Sequence, residues 1–97
     1  MANPVSTLSN VASSASNVTL LAANTKRSMA TFFNDSTQIC YLKFGATATS
    51  SSYTVQLAAG AYYELPACDG RGVYQGIIDG IWAGANGNMR VTSLTSV

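Results

Sequence analysis

Histidine is absent from this 97-residue chain, and charge is scarce: five Lys and Arg against four Asp and Glu leave a net charge of +1. The first absence removes the commonest general base and metal ligand of proteins. The second removes the dense positive field that follows a phosphate backbone, so nucleic acid is not an expected partner. No stretch approaches the roughly 18 consecutive apolar residues of a membrane span, and Met1 to Ser16 lacks the basic start and apolar run of a secretion signal. Neither anchor nor export signal is therefore expected. Cysteine occurs twice, at Cys40 and Cys68, with no close-spaced Cys or His beside either, which excludes the usual zinc spacings. Two reduced thiols are the default for a chain without an export signal. A Cys40–Cys68 disulfide is the alternative, and it requires the two Cα atoms to come within bridging distance.

The four carboxylates are Asp35, Glu64, Asp69 and Asp79. Asp35 and Asp69 fall among turn-forming residues, where Asp bonds its own backbone. Glu64 and Asp79 would have to face each other across two strands to act as a glycosidase pair, and nothing in their spacing specifies that. Gly70-Arg71-Gly72 lacks the lysine and helix of a phosphate cradle and reads as a turn. The expectation is a non-enzymatic domain without metal or cofactor.

What the chain does have is alanine, serine, threonine and a few large apolar residues: three Phe, five Tyr and Trp82 among scattered Val, Ile and Leu. Its length suits one domain with one thin core. Met1 to Ser16, rich in Ser, Ala, Asn and Thr, reads as an extended flexible arm (1–16) ahead of a single domain (17–97), with Val5, Leu8 and Val11 as anchors on a neighbouring subunit.

Beyond the arm, strand-length apolar runs alternate with turn clusters. The runs are Asn17 to Ala23, Ser28 to Phe33, Thr37 to Phe44, Tyr53 to Leu57, Ala61 to Leu65, Val73 to Ala83 and Met89 to Leu94. Asn34-Asp35-Ser36 predicts a tight turn joining the second and third runs as a hairpin, and Ala58-Ala59-Gly60 predicts a second hairpin. Gly45 to Ser52, without a large side chain, reads as an exposed loop. Gly76 and Gly80 suggest a bend or a close approach in the Val73–Ala83 run, and Asn86-Gly87 a turn. No helical period is sustained. The expected fold is all-β: a small antiparallel β-sandwich or barrel of about seven short strands. Tyr62, Tyr63, Tyr74 and Trp82 could form an aromatic platform for sugar, but strand aromatics more commonly serve core or interface. Trp82 is assigned to the core, Tyr62 and Tyr74 to partner contact.

Five segments carry a likeness: Val18 through Arg27, Phe33-Asn34-Asp35-Ser36, Tyr41-Leu42-Lys43-Phe44-Gly45, Leu57 through Pro66, and Ile77 through Trp82. Over about residues 17 to 95 the chain resembles small structural proteins of tailed bacteriophages, in particular the β-domains of head decoration (cement) proteins and of head or tail fibres. The resemblance implies a virion protein assembled in the bacterial host cytoplasm. Its partners would be the major capsid protein or other virion subunits, with self-association as a dimer or trimer. It does not separate cement from fibre. A tail-borne carbohydrate- or receptor-binding module is the rival, marked by an exposed aromatic cluster beside polar groups.

Overall fold

The computed structural model describes residues 4–67 and 72–96. Eight strands follow one another: β1 (Val5–Ala12), β2 (Val18–Leu21), β3 (Arg27–Ser36), β4 (Cys40–Phe44), β5 (Val55–Leu57), β6 (Tyr62–Glu64), β7 (Ile78–Trp82) and β8 (Gly87–Thr95). They form two four-stranded antiparallel sheets, in the orders β1-β8-β3-β6 and β2-β7-β4-β5. The all-β sandwich expected from the sequence is thus the fold.

The pairing is nested: β1 with β8, β2 with β7, β3 with β6 and β4 with β5. The chain is therefore one long double ribbon, closed at the β4–β5 loop and rolled up so that β3 also pairs β8 and β4 also pairs β7. Eight strands in this order make a jelly roll. The roll dictates that every connection except β4–β5 crosses from one sheet to the other.

This overturns both expected hairpins. Asn34-Asp35-Ser36 is the end of β3, and the chain changes sheet at residues 37–39 instead of turning back. Residues 58–61 likewise carry the chain from β5 to β6 in the opposite sheet. The hairpin that does form is β4–β5, with Cys40 opposite Leu57 and Leu42 opposite Val55 across the polar 45–54 loop. The flexible-arm assignment of 1–16 is also corrected. The segment is extended, but Val5–Ala12 is the edge strand of the first sheet, in unbroken register with β8 from Val5↔Thr95 to Ala12↔Asn88. The strand carries no apolar alternation in sequence, because Thr7 and Ser9, between Val5 and Val11 on the same side, are small, polar and exposed. The Val73–Ala83 run, apolar on both parities, is a strand only over Ile78–Trp82.

Alternate residues of each strand fill the core, as a pleated strand buried on one face requires. Ala30, Phe32, Met89 and Val91 come from the first sheet, and Leu20, Cys40, Leu42, Leu57, Ile78 and Trp82 from the second. Gly80 faces inward too. A Cβ there would lie 2.9 Å from Leu20 Cδ1, so the glycine makes room for the leucine.

Polar groups tie the crossings together at the two ends. At one end Trp82 N–H donates to Ser14 O (2.8 Å), Asn86 N–H to Ser13 Oγ (2.6 Å) and Ala83 N–H to Ile39 O (3.0 Å). Asn34, fully buried, is the hub: its Nδ2 donates to Gln38 O, Leu57 O and Ala58 O, and its Oδ1 accepts from Trp82 Nε1 at 3.1 Å. At the other end Arg27, buried, donates to the carbonyls of Ala22, Tyr74 and Gly76. A bulge between Arg27 and Met29 lets Arg27 turn inward while Met29 faces out.

Candidate functional site

With one face of each sheet committed to the core, the outer faces and the edges hold whatever the molecule uses for recognition. The register fixes what lies there. On the first sheet, Ser6, Leu94 and Met29 form one row; Leu8, Thr92, Thr31 and Glu64 the next; Asn10, Arg90, Phe33 and Tyr62 the third. Leu8 is 76% exposed and Tyr62 60%, with Phe33 also exposed and Met29 and Leu94 half-buried. These apolar groups lie among Ser, Thr and Asn, with one exposed ion pair, Arg90 Nε to Asp35 Oδ2 at 2.7 Å. Tyr62 OH donates to Glu64 Oε1 (3.1 Å), and desolvation together with that carboxylate holds the phenol above its ordinary range.

The outer face of the second sheet differs. Tyr41 and Tyr53 pack with ring centroids 5.0 Å apart, and Gln56 Nε2 donates to Tyr53 OH (3.0 Å). Lys43 reaches over to Ser52 Oγ (2.8 Å) and Thr47 O, pinning the 45–54 loop across this face. Under the loop Asp79 is buried, its carboxylate accepting from Asn17 Nδ2 (3.0 Å) and Thr19 Oγ1 (3.1 Å), while Asn17 Oδ1 takes the Ala48 N–H (2.8 Å). Asp79 thus holds the loop and the start of β2 together.

The residues singled out in the sequence are separated by this geometry. Leu8, at an odd spacing from the two valines, is on the outer face, while Val5 and Val11 share the other side, where Val11 packs against the core and Val5 stays 51% exposed. Tyr74 is not free for a partner. It stacks on Phe44 at 4.9 Å and 8° and donates from its hydroxyl to Ile77 O, closing the end of the core. The four-aromatic sugar platform does not assemble: Trp82 is 2% exposed, Tyr63 packs towards Phe32 and Phe44, and Tyr62 alone of the four faces outward. An outward-facing aromatic pair is Tyr41–Tyr53, with Tyr53 exposed and Tyr41 half-buried, legible from the parity that sets Tyr41 against the buried Cys40 and Leu42. Glu64 and Asp79 belong to the outer faces of different sheets and do not face each other. Cys40 is buried and burial pushes its thiol up to about 12. Cys68, Asp69, Gly70 and Arg71 lie outside the described residues, and with them the Cys40–Cys68 disulfide.

Among the described residues no pocket opens and no three His, Cys, Asp or Glu side chains cluster. The surface features that the described residues do present are the outer faces of the two sheets and the long edge β1. No protein-family model, curated protein or solved structure matches the chain.

Proposed function

We propose that this domain is a non-enzymatic structural protein of a bacteriophage particle, a capsid decoration (cement) protein that binds the assembled head shell and stabilises it. The observation that carries the reading is the outer face of the first sheet, where Leu8, Met29, Leu94, Phe33 and Tyr62 lie among Ser, Thr and Asn side chains, with Glu64 and the mutually paired Arg90 and Asp35 as its charged groups. A flat, weakly charged, partly apolar face suits a contact repeated over a shell. Two further arguments support it: the resemblance of residues 17 to 95 to phage decoration and fibre β-domains, and the jelly roll, an architecture of viral capsid domains. That architecture hosts unrelated functions, so the argument rests on the face itself.

A second reading has its own observation. Tyr41, Tyr53 and Gln56 place two rings and an amide on the outer face of the second sheet, a pattern suited to a sugar, and lectins also use jelly rolls. Quantitative mass spectrometry of purified particles of the encoding phage separates the two. Decoration requires a fixed, shell-wide ratio to the major capsid protein. Absence from particles would refute any virion role, and a few copies per particle, with glycan binding lost in Tyr53→Ala, would favour the sugar-binding module.

A further inference from the structure

We propose that β1 is a dimerisation strand: two copies of this chain pair their β1 edges antiparallel about a twofold axis at Leu8, merging their first sheets into one of eight strands. The pairing stands on the strand itself, whatever the domain decorates.

The sheet orders leave four edges, β1, β6, β2 and β5. Edges are normally guarded by shortness, bulges, charge or proline. β5 and β6 have three residues each, and β6 carries Glu64. β2 has four, with a register shift between Thr19 and Leu21. β1 has eight residues, Val-Ser-Thr-Leu-Ser-Asn-Val-Ala, without charge, proline or register shift. It is the one long, regular, unguarded edge among the described residues.

Its backbone groups point the right way. One step beyond the β1–β8 ladder, Ser13 N–H donates to Gly87 O at 2.9 Å. Directly opposed residues of an antiparallel pair alternate between bonded and non-bonded. Val11, Ser9, Thr7 and Val5 therefore bond β8, and Ser6, Leu8, Asn10 and Ala12 turn their N–H and C=O groups to the free edge.

The sequence then selects a register. A twofold axis perpendicular to the sheet opposes residues of like face, and about Leu8 it sets Leu8 against the partner's Leu8, Val5 against the partner's Val11, Ser6 against the partner's Asn10 and Thr7 against the partner's Ser9. Apolar meets apolar and polar meets polar at each step, a self-complementarity that an isologous contact requires. Leu8 and the Ser6–Asn10 pairs exchange backbone bonds, and Pro4, lacking an N–H, marks where the ladder stops. Moving the axis to Thr7 sets Leu8 against Ser6 and Val5 against Ser9 and leaves Val11 beyond the end of the partner strand, and moving it to Ser9 sets Leu8 against Asn10 and Val11 against Thr7. The partner this edge fits is a second copy of itself.

Light scattering and sedimentation of the full chain test the proposal with Leu8→Lys and Leu8→Glu. Leu8 is mostly exposed, so both variants keep the parent circular dichroism. The parent is expected to be a dimer. Each variant alone should be a monomer, because like charges meet on the axis, and an equimolar mixture should be a dimer again, because Lys then meets Glu. Amide exchange supplies the second readout. Ser6, Leu8 and Asn10 amides should be slow in the dimer and fast in either variant, while Thr7, Ser9 and Val11 stay slow in both. A monomeric parent, a dimeric single variant, a mixture that stays monomeric, or a parent dimer with fast Ser6, Leu8 and Asn10 amides would each overturn it.

Discussion

Asn34→Ala removes the side chain on which one end of the roll depends, and its effect can be worked from the bonds it breaks. Asn34 Nδ2 serves Gln38 O (2.8 Å), Leu57 O (2.9 Å) and Ala58 O (3.1 Å), and its Oδ1 serves Trp82 Nε1 (3.1 Å) and Ser36 Oγ (2.7 Å). The bonds to Leu57 O and Trp82 Nε1 are buried, and the others are partly open to water. Orphaning two buried groups at about 1–3 kcal/mol each gives about 2–6 kcal/mol, before any contribution from the cavity. For a domain of this size each kcal/mol lowers the melting temperature by about 4–8 °C, so a fall of roughly 8–48 °C is expected by calorimetry. Trp82→Phe keeps most of the ring but removes the indole donor. In a double-mutant cycle the Asn34–Trp82 pair should show a coupling of about 0.5–3 kcal/mol. An Asn34→Ala melt within about 3 °C of the parent would refute the reasoning, since an ordinary surface substitution costs no more than about 0.5 kcal/mol.

Trp82→Ala should cost about 3–5 kcal/mol as a large-to-small core substitution, read as a shift of the urea midpoint. Gly80→Ala should destabilise by about 1–3 kcal/mol through the clash with Leu20, and Leu20→Ala in the same chain should recover part of that loss, contrary to simple addition. Native Cys40 should resist iodoacetamide at pH 8, as peptide mapping would show, and react once the chain is unfolded, because burial raises the thiol to about 12 from 9.0. The sign for stability follows: the unfolded thiol ionises above about 9 and the folded one does not, so stability contributed by the neutral buried thiol is lost as pH rises towards about 12, a slope that Cys40→Ala should lack. Arg90→Ala should change stability by no more than about 1 kcal/mol, since its pair with Asp35 is open to solvent.

The strands were legible where apolar residues alternate. Cys40, Leu42 and Phe44 against Tyr41 and Lys43 give β4, and Met89 and Val91 give the inward side of β8. Their partners were not, because nested pairing joins residues such as Phe32 and Val91 that no local signal connects. Asn34-Asp35-Ser36 misled for a physical reason. Asn34 and Ser36 do bond nearby backbone, at Gln38 O, as turn residues would, but they do so from the end of a strand that leaves its sheet. The candidate surface was half legible. Val5, Leu8 and Tyr62 are exposed, while Val11 and Tyr74 pack, partly buried, against the core, Tyr74 by stacking on Phe44. Tyr41–Tyr53 needed the β4–β5 hairpin, whose polar 45–54 loop brings Tyr53 back against Tyr41 of β4.

The nested roll also governs when this molecule can exist during its own synthesis. β3 has β8 on one side and only the three residues of β6 on the other, so Phe32 and Ala30 keep an open flank until Val91 and Ser93 have been made. Before that, the nascent chain exposes the unprotected edges from which intermolecular β-pairing starts. A ribosome-stalled chain ending before Gly87 should therefore be protease-sensitive throughout, and one extended past Thr95 should become resistant in a single step. Premature termination anywhere short of β8 should therefore leave the chain without the strand that joins β1 to β3, and unfolded.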